Sequence, residues 1–209
     1  MSILGQLATS LGRRDEVPNQ ELAKKIAGKN DKLAVKELVH HLSDKSKDIQ
    51  HDCIKVLYEI GEQKPSLISG YTKEFVALLE SKNNRMQWGA MSALDAITLE
   101  DPKTIYVSLG KIIASADKGS VITNDRCVNI LVKLCGIKGY SEEVFPLLVE
   151  RILVSPPNQM PTYAEKTMPF VTTENKTFFL KTLTSRLSDI ETDTKRRRVE
   201  KIIKKLRGK

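Results

Sequence analysis

One helical stripe recurs along the chain. Met86, Ala90, Leu94 and Ile97 stand at i, i+4, i+8 and i+11, so at about 100° per residue they cluster on one side of a helix. The same four places recur 37 residues earlier as Ile49, Cys53, Leu57 and Ile60, and 37 later as Thr123, Cys127, Leu131 and Leu134. Another step of 37 gives Met160, Ala164, Met168 and Val171, and a step of 35 gives Val199, Ile203 and Leu206. A period of this length suits a helix pair that buries its apolar face only by stacking on its neighbours.

A partner helix is expected before each stripe, over Lys32–Leu42, Thr72–Leu79, Pro102–Ala114, Ser141–Leu153 and Glu174–Leu187. Breakers fall between them: Lys64-Pro65, Asp101-Pro102, Gly136 to Gly139 and Pro156-Pro157. Ser120, in the loop from Asp117 to Thr123, is placed to cap the helix that follows. Two short amphipathic helices are predicted ahead of the array. One covers Ser2–Leu11; the other is capped by Asn19 and closed by Gly28. No segment alternates with period two, so no sheet is expected.

Two helices per unit, a period near 37 and a small residue midway along the second helix resemble the HEAT repeats of the HEAT/armadillo class. The likeness is strongest over Asp48–Gly61 and Asn84–Ile97, and it weakens where prolines 156, 157, 161 and 169 interrupt the fourth unit. The expected fold is therefore all-α: a right-handed α-solenoid of about five HEAT-like helix pairs. Residues 1–30 form an N-terminal two-helix cap and 31–209 the array, as one continuous domain.

The core stripe also defines what points away from it. On the 84–97 helix these residues are Trp88, Met91, Ser92 and Asp95. The 37-residue shift adds His51, Ile54, Lys55 and Tyr58 before it, and Asp125, Val128, Asn129 and Val132 after it; Thr162, Glu165 and Lys166 extend the row. Aromatic and apolar groups on an outward face mark a contact site. The resemblance implies that this row lines a concave surface that grips a partner. A protein or peptide ligand is expected if that face is mixed or apolar, and nucleic acid if it is continuously positive.

Charge supplies the alternative. The net charge is +8, and the segment from Lys195 to the end holds nine basic residues and one acid, Glu200, leaving 25 of each sign before it. Arg196, Arg197, Arg198, Lys201, Lys204, Lys205 and Arg207 surround the narrow stripe of Val199, Ile202, Ile203 and Leu206. Such a helix suits nucleic-acid phosphates, an anionic membrane surface, or a solubilising end cap whose last-turn cations match the helix dipole.

Chemistry adds little. Cys53, Cys127 and Cys135 are expected to be reduced and buried, as in a cytoplasmic protein. His40, His41 and His51 lack metal-ligand spacing, so no metal or cofactor is expected. Nucleophile-elbow, zinc-protease and dinucleotide motifs are absent, and no apolar run reaches membrane-spanning length. The HEAT-like bacterial alkylpurine DNA glycosylases place a Trp and an Asp four apart; here Ser92 holds that place and there is one Trp in all. The expectation is a non-enzymatic scaffold.

Overall fold

The computed structural model describes residues 2–208, and the described residues contain helices and turns but no strand. They form two compact units, a first ending at Ile130 and a second beginning at Leu131. The expected boundary at residue 30 lies inside the first.

In the first unit, α1 (Val17–Lys29), α3 (Lys47–Gln63), α5 (Asn84–Ile97) and the start of α8 (Val121–Cys135) are the long helices. Between them lie α2 (Lys32–His40), α4 (Thr72–Leu78), α6 (Pro102–Val107) and α7 (Leu109–Lys118). α3 packs along α1 on one side and α5 on the other. Local chemistry sets the starts. Asp31 accepts from Ala34 N, Ser46 from Ile49 N, Asn83 from Arg85 N and Asp101 from Thr104 N, each satisfying an amide of the first helical turn. Ser120 accepts from Thr123 N at 3.4 Å, as expected.

The stripes are the core. Cys53, Leu57 and Ile60, then Ala90, Leu94 and Ile97, are fully buried, as are Cys127, Leu131 and Leu134. The three cysteines are buried, and none is in a disulfide. Burial, with a smaller contribution from nearby Asp52, pushes Cys53 up to about 12, and burial alone does the same to Cys135; neither carries thiolate at neutral pH.

Four local expectations give way. Ser2–Leu11 is a 3-10 turn at Leu4–Gln6 followed by further turns, not a helix. The segment is held instead by a buried clasp. Asp52 accepts from Thr9 N at 2.8 Å and from Asn19 Nδ2 at 2.7 Å, while Asn19 Oδ1 accepts from Ala8 N at 3.0 Å. Asn19 is therefore no N-cap: α1 starts at Val17, with Pro18 in its first turn, and ends at Asn30 in the left-handed region rather than at Gly28. The single helix expected over Pro102–Ala114 is two, broken at Ser108.

The second unit holds the last turn of α8 with α9 (Ser141–Val154), α10 (Met160–Thr167), α11 (Lys176–Arg186) and α12 (Asp193–Arg207). α9 packs on α10 and α11, and α12 on both of those. Pro169 lacks an amide hydrogen, so α10 gives way to a 3-10 turn at Met168–Phe170, and Met168 and Val171 are only half-buried. Arg186 Nη1 donates to the Ile152, Leu153 and Ser155 carbonyls and so closes the end of α9 from a neighbouring helix.

Across α10 and α12, Arg198 grips Glu165 with two bonds, 2.8 and 2.6 Å, and holds its carboxyl below the usual range. The sign follows: a carboxylate whose folded pKa is depressed contributes stability above its ordinary value and loses it as pH falls through the folded one. Glu165→Gln is therefore expected to shrink the drop in urea midpoint between pH 6 and pH 3, by a small amount because both groups are partly exposed. An unchanged pH profile would exclude the pair as a contributor.

Candidate binding face

The row predicted to point away from the core is real as a direction, but most of it is closed. Met91, Ser92, Asp95, Lys55 and Tyr58 are buried, with Met91 fully enclosed and Tyr58 6% exposed. Trp88, His51, Asp125 and Asn129 are half-buried. The cause is lateral packing. At Gly89 an added Cβ would stand 2.6 Å from Ile54 Cγ1, so α3 and α5 meet almost backbone to side chain. A helix flanked this closely keeps only a narrow strip open, and the helical period marks the core side without marking the flanks.

Two networks knit the strip together. In the first, Lys55 Nζ lies 2.7 Å from Glu16 and 2.8 Å from Glu59, and 4.8 Å from the centre of the Tyr58 ring. Burial works to lower the Lys55 ammonium, but the two carboxylates outweigh it and hold it above its usual value. Tyr58 in turn stacks on Trp88, with ring centres 5.6 Å apart at 54°, a tilted geometry favoured by ring quadrupoles. Ser92 Oγ is occupied within α5, donating to the Trp88 carbonyl.

In the second network, Asp95 accepts from Arg126 Nη1 at 3.1 Å and from Asn129 Nδ2 at 3.0 Å. Arg126 Nη2 also reaches Glu62 at 2.9 Å. α3, α5 and α8 are thus joined by one chain of charge-assisted bonds. Desolvation works against the guanidinium, and Asp95 and then Glu62 keep it firmly charged.

Glu16, Glu59 and Glu62 lie outside the row that the repeat spacing predicts. Only Glu59 leaves a local signal, lying four residues after Lys55. Glu16 and Glu62 meet their partners 39 and 64 residues away in the chain, a separation no local pattern records. These carboxylates stand further into solvent than the cations they hold: Glu16 and Glu62 are 47% and 43% exposed at the side chain, against 6% for Lys55 and 31% for Arg126. Next to this strip, Glu16, Asp48, His51, Asp52 and Arg85 help line a cleft of about 400 Å3. The face is mixed in charge: Glu16 and Glu62 stand further out than Lys55 and Arg126, Glu16 also holds Arg85 at 3.4 Å, and Arg13 and Arg14 line the cleft as well.

Two of the three histidines are hydrogen-bonded within the first unit. His41 Nδ1 pairs with Asp44 at 2.8 Å and His51 Nε2 with Asn83 at 2.7 Å. In the second unit, Thr162 and Glu165 are bound to Arg198. Of the basic C-terminal positions, Arg196 is turned inward to the Ile190 carbonyl, whereas Arg197, Lys201, Lys204, Lys205 and Arg207 are exposed.

No family model matches the chain, and no curated protein matches it in sequence. Solved structures do match in fold. A computationally designed armadillo repeat protein for modular peptide recognition is 16% identical, with a TM-score of 0.66 over 96% of this chain and 97% of its own. A designed armadillo repeat protein in complex with the peptide (KR)4 is 15% identical, with a TM-score of 0.53 over 90% of this chain and 86% of its own. The archaeal HEAT-like repeats protein from Thermococcus onnurineus NA1 is 12% identical, with a TM-score of 0.51 over 93% and 98%. At such identities the likeness concerns the fold. The chain has the all-α solenoid architecture of armadillo and HEAT-like repeat proteins. Among the described residues, no helix is long and apolar enough to cross a membrane.

Proposed function

We propose that the strip formed by α3, α5 and the start of α8 is the binding face of a non-enzymatic scaffold, and that its ligand is a peptide or protein segment bearing cationic side chains. The observation that carries this reading is the arrangement of charge. Lys55 and Arg126 are tucked under their partners, while Glu16 and Glu62 stand 47% and 43% exposed, with Glu16 shared between Lys55 and Arg85. An incoming Lys or Arg finds acceptors there without displacing a buried ion pair. Trp88, half-open above Tyr58, offers the adjoining stacking surface. The (KR)4 complex of a structural neighbour is in keeping with a basic ligand on this architecture. Buried cysteines outside any disulfide suit a reducing compartment such as the cytoplasm.

The chain has a single tryptophan, so Trp88 emission reports directly on this face. Titration with a peptide of alternating Lys and Arg is expected to shift that emission saturably, and an alternating Glu peptide to leave it unchanged. Labelled-peptide anisotropy should show Trp88→Ala weakening the affinity about tenfold, as for an interface hot spot. Equal affinity for the two peptides, or none lost in Trp88→Ala with Glu62→Gln, sinks the reading.

A further inference from the structure

α12 divides its cations between two jobs. Lys195, Arg196 and Arg198 are consumed by the fold, on Asn158, on the Ile190 carbonyl and on Glu165. The side chains of Arg197, Lys201, Lys204, Lys205 and Arg207 are exposed and make no hydrogen bond or close ion pair among the described residues, although Lys201 is near enough to Glu165 to help hold its carboxyl low. At about 100° per residue, Arg197, Lys201 and Lys204 project directly opposite the apolar stripe, with Lys205 beside them. Arg197 and Lys205 are about 12 Å apart along the axis at 1.5 Å per residue.

A terminal solvated face accounts for only part of this. The helix dipole favours cations in the last turn, which covers Lys204, Lys205 and Arg207. It does not reach Arg197 and Lys201. Those two, and Lys201 with Lys205, sit four apart and repel, as like charges at that spacing do. Glu165 near Lys201, and Glu200 one turn from Arg197 and Lys204, offset part of this repulsion, and a bound anion relieves the rest. The charge is also regional: residues from 131 on hold 16 of the 34 basic residues and 9 of the 26 acidic ones, leaving 18 and 17 in the first unit.

We propose that this outer face of α12 binds nucleic acid through its phosphates, without reading sequence. The apolar stripe decides between polyanions. A basic amphipathic helix on a bilayer inserts its apolar side, but here Val199, Ile202, Ile203 and Leu206 are all buried in the second unit. Exposed Asp193 and Glu200 flank the cationic line on one side at about 100° per residue; a flat anionic membrane meets them squarely, whereas a phosphate backbone follows the line past them. Lys205 also lines, with Lys176, a cleft of about 410 Å3 that carries the positive edge toward α11.

The test uses the full chain with a fluorescein-labelled 20-nucleotide single strand and the matching duplex, read by anisotropy. With all five cations engaged, raising salt from 50 to 200 mM weakens binding about 100- to 500-fold. Arg197→Glu with Lys201→Glu and Lys204→Glu is expected to lose affinity at least about tenfold, while Arg198→Gln, which alters a cation already spent on Glu165, stays near wild type. Circular dichroism checks that the variants fold, and the milder Lys201→Ala with Lys204→Ala gives the same ordering should the triple variant melt. Overturning results are no binding at 50 mM salt, a folded triple variant that binds as wild type, or capture by phosphatidylserine vesicles without binding to either nucleic acid. Trp88 emission is not expected to respond to the oligonucleotide, so this test succeeds or fails apart from the peptide titration.

Discussion

Gly89→Leu is expected to destabilise the first unit by about 3 kcal/mol, the upper end for overpacking a well-filled site. The clash is with the root of a side chain, not its tip. The first added carbon would meet Ile54 Cγ1 at 2.6 Å, Cγ2 at 3.2 Å and Cβ at 3.5 Å. Ile54 is 1% exposed and β-branched, so its χ1 has no free rotamer to retreat to. α3 and α5 must separate, and Trp88 loses its seat on Tyr58. The usual gain from replacing a helical glycine, about 0.5–1 kcal/mol, does not offset this. Gly110, on α7, is the control: nothing lies within 4 Å of its added Cβ, so Gly110→Ala is expected to stabilise by about that gain. Urea midpoints followed by far-ultraviolet dichroism give both values. A Gly89→Leu protein as stable as wild type would refute the close approach.

Asp95→Ala is the second large effect, about 2 kcal/mol. Asp95 is 2% exposed and accepts one bond each from Arg126 and Asn129. Deleting it removes a buried charged acceptor, a loss in the range of about 1.5–3 kcal/mol for a charge-assisted bond. Arg126 keeps Glu62 and is itself 31% exposed, so water recovers part of the loss and the cost stays below that of a fully enclosed pair. A double-mutant cycle with Arg126→Met separates the direct coupling from the rest, and about 1 kcal/mol is expected. Coupling near zero would mean that the α5–α8 link is geometric but not energetic. Asp95→Asn keeps the shape and one acceptor, and should fall between wild type and alanine.

The two predictions meet at the residues where sequence and structure differ most. Along α5, Met86, Ala90, Leu94 and Ile97 are legible as core because a buried stripe obeys the helix period whatever surrounds it. Met91, Ser92 and Asp95 obey the same geometry on the other side, and the period assigns them to an outward face. Their burial comes from α3 and α8 pressing in laterally. Glycine 89 carries the one local hint of that pressure, since a mid-helix glycine is tolerated where another chain approaches closely. Lys55 is a similar case: its charge and register read as exposed, and Glu16, on a distant segment, adds to the local Glu59 the second carboxylate that holds it in its buried place.

At the chain's two ends the balance differs. The basic helix is legible in full, because α12 is a single amphipathic element whose apolar and cationic sides follow from its own residues. The N-terminal segment is not: Ile3, Leu4 and Leu7 have helical spacing, but the segment is too short to nucleate a helix by itself, and the Asp52–Asn19 clasp holds it as turns. The order of residues thus suffices for the repeat, its register, the core stripe and the segregation of charge, since each arises from spacing along one chain direction. Packing in three dimensions settles which outward residues stay open, which carboxylates hold Lys55 and Arg126, and where Trp88 rests. Those depend on side chains brought together from 30 to 64 positions apart, and local periodicity carries no record of distances across the fold.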